Sequence, residues 1–463
     1  MKNHFPLPVI WAPAGILLLA GWLLSVIKPS AWNPRENEML TMVRTDASPW
    51  IDIQTDLPTT RPLPNGTLFA VGRAASGNLA AMRLPGLLLA LVALVAVYWT
   101  LRGTDGSLSG LLAAAAVGTG YFFFQSAAMA DADIYGCVFA LLTFCFVYRA
   151  LFQPEPRFFI PACCTAALDV VSTGIAGLLI PLAAIAAWGV VVGFQRLDAG
   201  SFPSLKPSIK KHWPVVAVAF VSAALLLLLL YAPVYLGSGS RFFESLLKFQ
   251  THNVHGGKSE YYVRAFLLGL LPWSLLLPLV FFSLARTDGG DGSRVRGSRI
   301  LFAFLWGICG WTVVTFMQKK YYYFSGPAMP VLAVAAGLAL AKASNGEAAP
   351  WPRFAPCASA LLAILFLRDM ILYTPSLLFE LFLGDERFPR SPGLTPWVAL
   401  ITIITAGSAF ALGSPRWRKS AVIAIVLSSA ALCLILAWSF RGVPFENINR
   451  AAADFLSGPL RAG

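Results

Sequence analysis

Four carboxylates stand in two closely spaced pairs: Glu36 and Glu38 in Asn33-Pro34-Arg35-Glu36-Asn37-Glu38-Met39-Leu40, and Asp131 and Asp133 in Met129-Ala130-Asp131-Ala132-Asp133-Ile134-Tyr135. A carboxylate within hydrogen-bond reach of a hydroxyl can act as its general base. Opposite in charge are Arg61, Arg83 and the run Lys319-Lys320-Tyr321-Tyr322-Tyr323-Phe324-Ser325-Gly326-Pro327. Fixed cations and phenolic hydroxyls are what a phosphate-bearing headgroup needs for binding, although the same run also reads as an aromatic and cationic anchor at a membrane surface. His252 and His255 flank Asn253 and could share a metal if helical, but Gly256-Gly257 breaks the segment and no third ligand is evident. Solvent-facing histidines are the better reading. Four histidines and scattered acids specify no metal site; no cofactor is certain, and a divalent metal stays open.

The elements that must position these groups are membrane spans. Of 463 residues, 57% are hydrophobic and 12% charged, against about 45–50% and about 25% in soluble domains, which excludes a water-soluble enzyme. The apolar residues form about thirteen runs of roughly 17 to 25 residues, the length of a spanning helix, near 10–27, 79–101, 108–127, 133–152, 159–176, 177–194, 213–236, 265–285, 300–318, 327–342, 354–372, 396–412 and 420–439. The pair flanking Gly174 also reads as one broken helix. An outer-membrane barrel would show short alternating strands instead. The expected fold is an all-α polytopic membrane protein of about thirteen transmembrane helices with an amphipathic juxtamembrane helix in the first outer loop.

The net charge of +13 needs no nucleic acid as partner, because the basic residues cluster in particular loops and set orientation. With Lys2 cytoplasmic, Arg149/Arg157, Arg196 to Lys211, Arg286 to Arg299 and Arg416/Arg418/Lys419 fall on the same side. Loops 28–78, 237–264 and 373–395 then face outward. Residues 1–440 are expected to form one polytopic domain, and 441–463 a short periplasmic tail. The first run is long for a signal peptide and reads as an uncleaved span. All seven cysteines lie in apolar segments, where they read as small core residues.

From Glu36 to Arg44 the pattern is helical, with Met39, Met42 and Val43 forming an apolar stripe. At about 100° per residue, Glu36 and Glu38 lie roughly 200° apart, so at most one points into a common site. Glu36 shares a face with Met39, Leu40 and Val43 and is held toward the membrane domain, with Glu38 partly away. A first-turn location would also suit both as solvated charges facing the helix dipole. The pair Asp131 and Asp133 lies in a very short outward connection before the fourth span, where acids are costly unless partnered or functional. Aspartate is a favoured N-cap, so one of the two is assigned to the cap and one to the site. Asp169, inside the fifth run, is the chief ionisable residue away from the outer edge.

In order, the chain shows Arg61-Pro62-Leu63, Ala81-Met82-Arg83-Leu84-Pro85, Ala130-Asp131-Ala132-Asp133, Leu271-Pro272-Trp273, and Lys319-Lys320-Tyr321-Tyr322-Tyr323 through Pro327 and Pro330. With the acids of the first loop, these resemble the membrane glycosyltransferases of the GT-C class, specifically the bacterial aminoarabinose (lipid A) transferases and the dolichyl-phosphate-mannose protein mannosyltransferases. The resemblance spans residues 1 to about 340, and the elements are specific in combination. Glu36 or Glu38 stands in for the first-loop acid, Arg61 for a lysine, and Thr173-Gly174-Ile175 for Lys-Gly-Pro.

The resemblance implies transfer of a sugar, with inversion, from a polyprenyl-phosphate donor to a lipid A, glycan or protein acceptor, at the outer face of a bacterial inner membrane. A phosphate-linked sugar carries its own leaving group, so one carboxylate base and cations for the released phosphate suffice. By resemblance the base is Glu36 or Asp131, with Glu38 and Asp133 as substitutes. Arg61, Arg83, Lys319, Lys320 and Tyr322 would contact phosphate, with Arg83 alternatively anchoring the second span, and His252 and Asn253 would line the acceptor side. A transporter or lipid flippase is the alternative; it would concentrate polar groups at the midplane in repeated halves, whereas here the ionisable residues gather at the outer edge and no repeat is visible. An oligosaccharyltransferase is expected to bring a large C-terminal domain in place of a short tail.

Overall fold

Every one of the thirteen apolar runs carries helix. The computed structural model describes residues 7–27, 34–45, 48–52, 57–59, 61–153, 155–194, 213–242, 266–285, 291–316, 326–345, 354–373 and 395–441. Along the chain the helices are α1 (Leu7–Val26), α2 (Pro34–Thr45), α3 (Pro62–Ala74), α4 (Leu79–Asp105), α5 (Ser107–Gly118), α6 (Tyr121–Ala127), α7 (Asp133–Phe152), α8 (Phe159–Thr173), α9 (Ala176–Phe194) and α10 (Trp213–Ser238). They continue as α11 (Leu277–Ala285), α12 (Asp291–Phe316), α13 (Met329–Ser344), α14 (Phe354–Tyr373), α15 (Thr395–Ala411) and α16 (Arg418–Arg441). Among the described residues five helices are long and apolar enough to cross a membrane singly, six if α5 and α6 count as one span, and shorter apolar helices fill the remaining runs except that of α8. This is an all-α polytopic membrane protein. Among the described residues the only strands are two-residue segments, Ile51–Asp52 and Leu57–Pro58, paired antiparallel.

The third run is not one straight span. It breaks at Thr119-Gly120 into α5 and α6, bent by 68°, as expected where glycine interrupts a helix and other groups take up the freed backbone. Here Tyr121 N donates to Leu271 O at 3.0 Å, Trp273 Nε1 donates to Thr119 Oγ1 at 2.9 Å, and Trp22 Nε1 donates to Phe124 O at 3.2 Å. The eighth run is also interrupted: a short turn at 266–269 and a 3₁₀ segment, Trp273–Leu276, precede α11. The pair flanking Gly174 is two helices. Gly174 has φ +77°, and a Cβ on Gly177 would lie 2.7 Å from Val170 N, so α9 folds back against the end of α8.

The core lies where α4, α5, α7 and α13 pack together. Along α13 every residue from Met329 to Ala343 is buried, and Gly337 lets its backbone approach α5, since a Cβ there would lie 2.5 Å from Ala113 Cα. At the periphery α10 packs on α8 and turns Leu228, Leu229 and Leu236 outward, the last 83% exposed. A helix of such composition without charged residues faces lipid.

Two polar layers mark the opposite ends of this bundle. At one end Asp105 accepts from Arg299 Nη1 at 2.9 Å and from Tyr148 Oη at 2.8 Å, gathering the ends of α4 and α7 with α12. At the other end lie α2, α3 and the 128–132 connection. The 27 residues of α4, at about 1.5 Å per residue, set the distance between the two.

Candidate active site

Helix α2 begins at Pro34, which suits a first helical position because its missing N–H would find no partner there. Its inward face follows the spacing read from the sequence: Leu40 and Met42 are buried, and Met39 and Val43 pack on a small core of Leu40, Leu68, Leu79, Met82 and Ala130. Close approach to α3 depends on Gly72, where a Cβ would lie 2.6 Å from Val43 Cγ2. The chain leaves α3 through Gly77, with φ +75°, and Asn78 then caps α4 by accepting from Ala80 N at 2.9 Å. This turn places Arg83 beneath α2.

Glu36, on the same inward face, is fully buried and so is Arg83. Arg83 Nε donates to Glu36 Oε1 at 2.8 Å and Nη2 to Oε2 at 2.9 Å, a bidentate pair. Its Nη1 also donates to Ser25 O at 3.3 Å and Val26 O at 3.2 Å, carbonyls that end α1 without intrahelical partners. Glu36 Oε1 in turn accepts from Ala130 N at 2.7 Å. One ion pair therefore joins α1, α2, α4 and the connection before α7. The side chain of Glu38 lies outside the described residues.

The acidic pair at the start of α7 is divided differently from expectation. The N-cap position is Ala132, which has no side chain to cap with, and neither aspartate occupies it. Asp133 is the first helical residue and accepts from Arg61 Nη1 at 3.0 Å, the two side chains being 3% and 11% exposed. A carboxylate there already gains from the helix dipole, so a cap is not what holds it. Arg61 is itself the N-cap residue of α3, followed by Pro62. Its backbone is fixed by Thr59, whose hydroxyl accepts from Arg61 N at 3.1 Å and from Asn65 Nδ2 at 3.0 Å. Asp131, 4% exposed, stands in the non-helical stretch between Ala130 and Asp133.

A fourth carboxylate joins this end. Asp169 is 1% exposed and accepts from Thr173 Oγ1 at 2.9 Å. A Cβ on Gly136 would lie 3.8 Å from Asp169 Oδ1 and would collide with Thr173 Cγ2; one on Gly177 would lie 2.9 Å from Asp169 Cγ. Asp169 is therefore level with the first turn of α7, at the Glu36 end, and not apart from the other acids. Its position within an apolar run hid this, and the i, i+4 spacing to Thr173 was the available signal.

Lys319, Lys320, Tyr322, His252 and Asn253 lie outside the described residues. Among the described residues no three His, Cys, Asp or Glu side chains are grouped to hold a metal ion. The structure thus brings together Glu36 with Arg83 and Asp133 with Arg61, and sets Asp131 between the two pairs.

No protein-family model and no curated protein sequence matches the chain. Solved structures do resemble it. ArnT from Cupriavidus metallidurans, bound to undecaprenyl phosphate, superposes with a TM-score of 0.67 at 14% identity over 92% of this chain and 76% of that one. Its apo state gives 0.67 at 14% identity over 94% and 76%. Arabinosyltransferase EmbB from Mycobacterium smegmatis gives 0.56 at 15% identity over 95% of this chain, which spans 42% of that one. The fold is the GT-C fold of these membrane glycosyltransferases.

Proposed function

We propose that this protein transfers a sugar from a polyprenyl-phosphate donor to the hydroxyl of a lipid, glycan or protein acceptor, with inversion at the anomeric carbon and Asp131 as general base. The observation that carries this reading is how the Asp131 segment is held: its neighbour Ala130 is bound through the backbone to Glu36, and Asp133, two residues on, is bound to Arg61. A base works when its carboxylate is held where the proton will be, without reorganisation during the reaction. The fold shared with a structure that holds undecaprenyl phosphate supports the class of donor.

In this reaction Asp131 takes the proton from the acceptor hydroxyl as the acceptor oxygen attacks the anomeric carbon. The carbon–oxygen bond to phosphate breaks, and its electrons leave on polyprenyl phosphate. No acid is needed, because phosphate is already a good leaving group. Arg61, next to the segment, would neutralise part of the charge released, joined by Lys319, Lys320 and Tyr322, with His252 and Asn253 on the acceptor side. Attack from the face opposite the phosphate inverts the anomeric centre. The location that suits this chemistry is the outer face of a bacterial inner membrane, where lipid-linked sugars and envelope acceptors meet.

The test is release of free polyprenyl phosphate from purified protein given a panel of polyprenyl-phosphate sugars and envelope extract. Release by wild type and not by Asp131→Asn, with the variant inserted and folded, supports the assignment. Full release by Asp131→Asn overturns the role of Asp131, and no release from any donor by well-folded wild type overturns the activity.

A further inference from the structure

Glu36 and Arg83 were both candidates for contact with the reacting molecules, but their geometry suits a different task. The pair is bonded to protein throughout: Arg83 directs Nε and Nη2 to Glu36 and Nη1 to the carbonyls of Ser25 and Val26, while Glu36 Oε1 takes the Ala130 N–H. Neither side chain has any exposed surface. Both Glu36 oxygens and all three Arg83 nitrogens are thus already bonded to protein, whereas a group that removes a proton from an acceptor, or that receives a phosphate, must bond the reacting molecules instead. What the pair does reach is the amide one residue before Asp131.

The sequence separations sharpen this. Glu36 is 47 residues from Arg83 and 94 from Ala130, and Arg83 is 57 from Val26, so the pair connects chain segments that no local structure keeps together. Arg61 connects α3 to Asp133 across 72 residues. The two juxtamembrane helices thus grip opposite flanks of the Asp131 segment, α2 through a backbone N–H and α3 through a side chain. A misplacement of about 1 Å at a reacting group costs on the order of 10²-fold in rate, which gives such a grip catalytic consequence without any contact to substrate.

We propose that Glu36 is a positioning residue: by accepting the Ala130 N–H it fixes that amide and so the direction in which Asp131 presents its carboxylate. This rests on the reading of Asp131 as the base. Removing the charge of Glu36 alone would leave Arg83 buried and unpaired and endanger folding, so the informative variants neutralise both partners together. In E36Q/R83M the glutamine carbonyl still accepts from Ala130 N–H; in E36M/R83M nothing does. The two differ in that acceptor and in the amide NH2 beside it.

The experiment measures kcat and donor KM for both double variants beside D131N, and hydrogen exchange of the peptide containing Ala130 in the same detergent-solubilised proteins. The expected result is that E36Q/R83M stays within about tenfold of wild type in kcat, whereas E36M/R83M falls by about 10²-fold. Donor KM should be similar in both, and exchange at Ala130 should be faster only in E36M/R83M. Loss of activity in both variants with Ala130 still protected in E36Q/R83M would overturn the proposal and return Glu36 to the role of base. Equal activity in both would overturn it by showing that the grip has no consequence. If D131N is active while the exchange difference persists, the reading of the base fails and the grip on the segment stands.

Discussion

The indole nitrogen of Trp273 and the hydroxyl of Thr119 meet at 2.9 Å although 154 residues separate them. Thr119 passes the polarity on, donating to Ala115 O at 2.6 Å, while its own carbonyl accepts the thiol of Cys433 at 3.5 Å. The bend between α5 and α6 is thereby braced from two other parts of the chain, and this bend directs α6 toward the Asp131 segment.

Trp273→Phe should keep the packing of the ring and lose the bond. A hydrogen bond of this kind contributes about 0.6–1.5 kcal/mol within membranes and protein interiors. The expected outcome is a loss of that size in reversible unfolding by denaturing detergent, matched by Thr119→Val. The double variant should lose little more than either single one.

Gly136→Ala should be strongly destabilising, because the new methyl collides with Thr173 Cγ2 and overpacking costs about 1–3 kcal/mol. Thr173→Ser removes that methyl and keeps the hydroxyl that Asp169 accepts. The double variant G136A/T173S should recover most of the lost thermal stability. Recovery by T173V instead, which keeps the crowding and removes the hydroxyl, would show that sterics are not the cause.

The pair of Arg61 and Asp133 should couple. Both side chains are largely buried, and groups in direct contact show interaction energies of about 0.5–3 kcal/mol. A double-mutant cycle of R61M and D133N, read by thermal unfolding, should fall within that range and persist in high salt. Strict additivity would mean that the contact contributes nothing.

At the opposite end, Asp105→Asn should cost more than Tyr148→Phe. The aspartate meets Arg299, Tyr148 and the hydroxyl of Thr104, so its neutralisation leaves a mostly buried guanidinium without its counter-charge. Losses of about 2–4 kcal/mol against about 1 kcal/mol are expected, measured by unfolding in detergent. Transfer activity per folded molecule should change little in either variant.

Much of this arrangement was legible in the residues. Apolar runs announce spanning helices because hydrocarbon leaves the backbone no other way to bond, and the faces of α2 follow from helical spacing, which put Glu36 inward with Leu40 and Val43. What spacing could not give was the partner. Arg83 served equally well as a phosphate contact or an anchor until the chain folded Glu36 onto it. The break at Gly120 was hidden for a similar reason, since Thr119-Gly120 sits in an apolar run and its bracing comes from Leu271 and Trp273. The depth of Asp169 depended on where the chain reverses at Gly174, and the meeting of Asp105 with Arg299 spans 194 residues. Reactive residue types and their faces are local properties; depth, partnership and reach are set by long-range packing.

Helix α10 carries one further consequence. Its 26 residues extend about 39 Å at 1.5 Å per residue, more than the roughly 30 Å of a typical hydrocarbon layer, so it must lean or reach into the headgroups. Tyr231 on this helix donates to Val170 O at 3.2 Å, one residue from Asp169. A change in bilayer thickness would act on this helix and, through that bond, on the wall beside the acidic cluster, which would make lipid chain length a variable of the site itself.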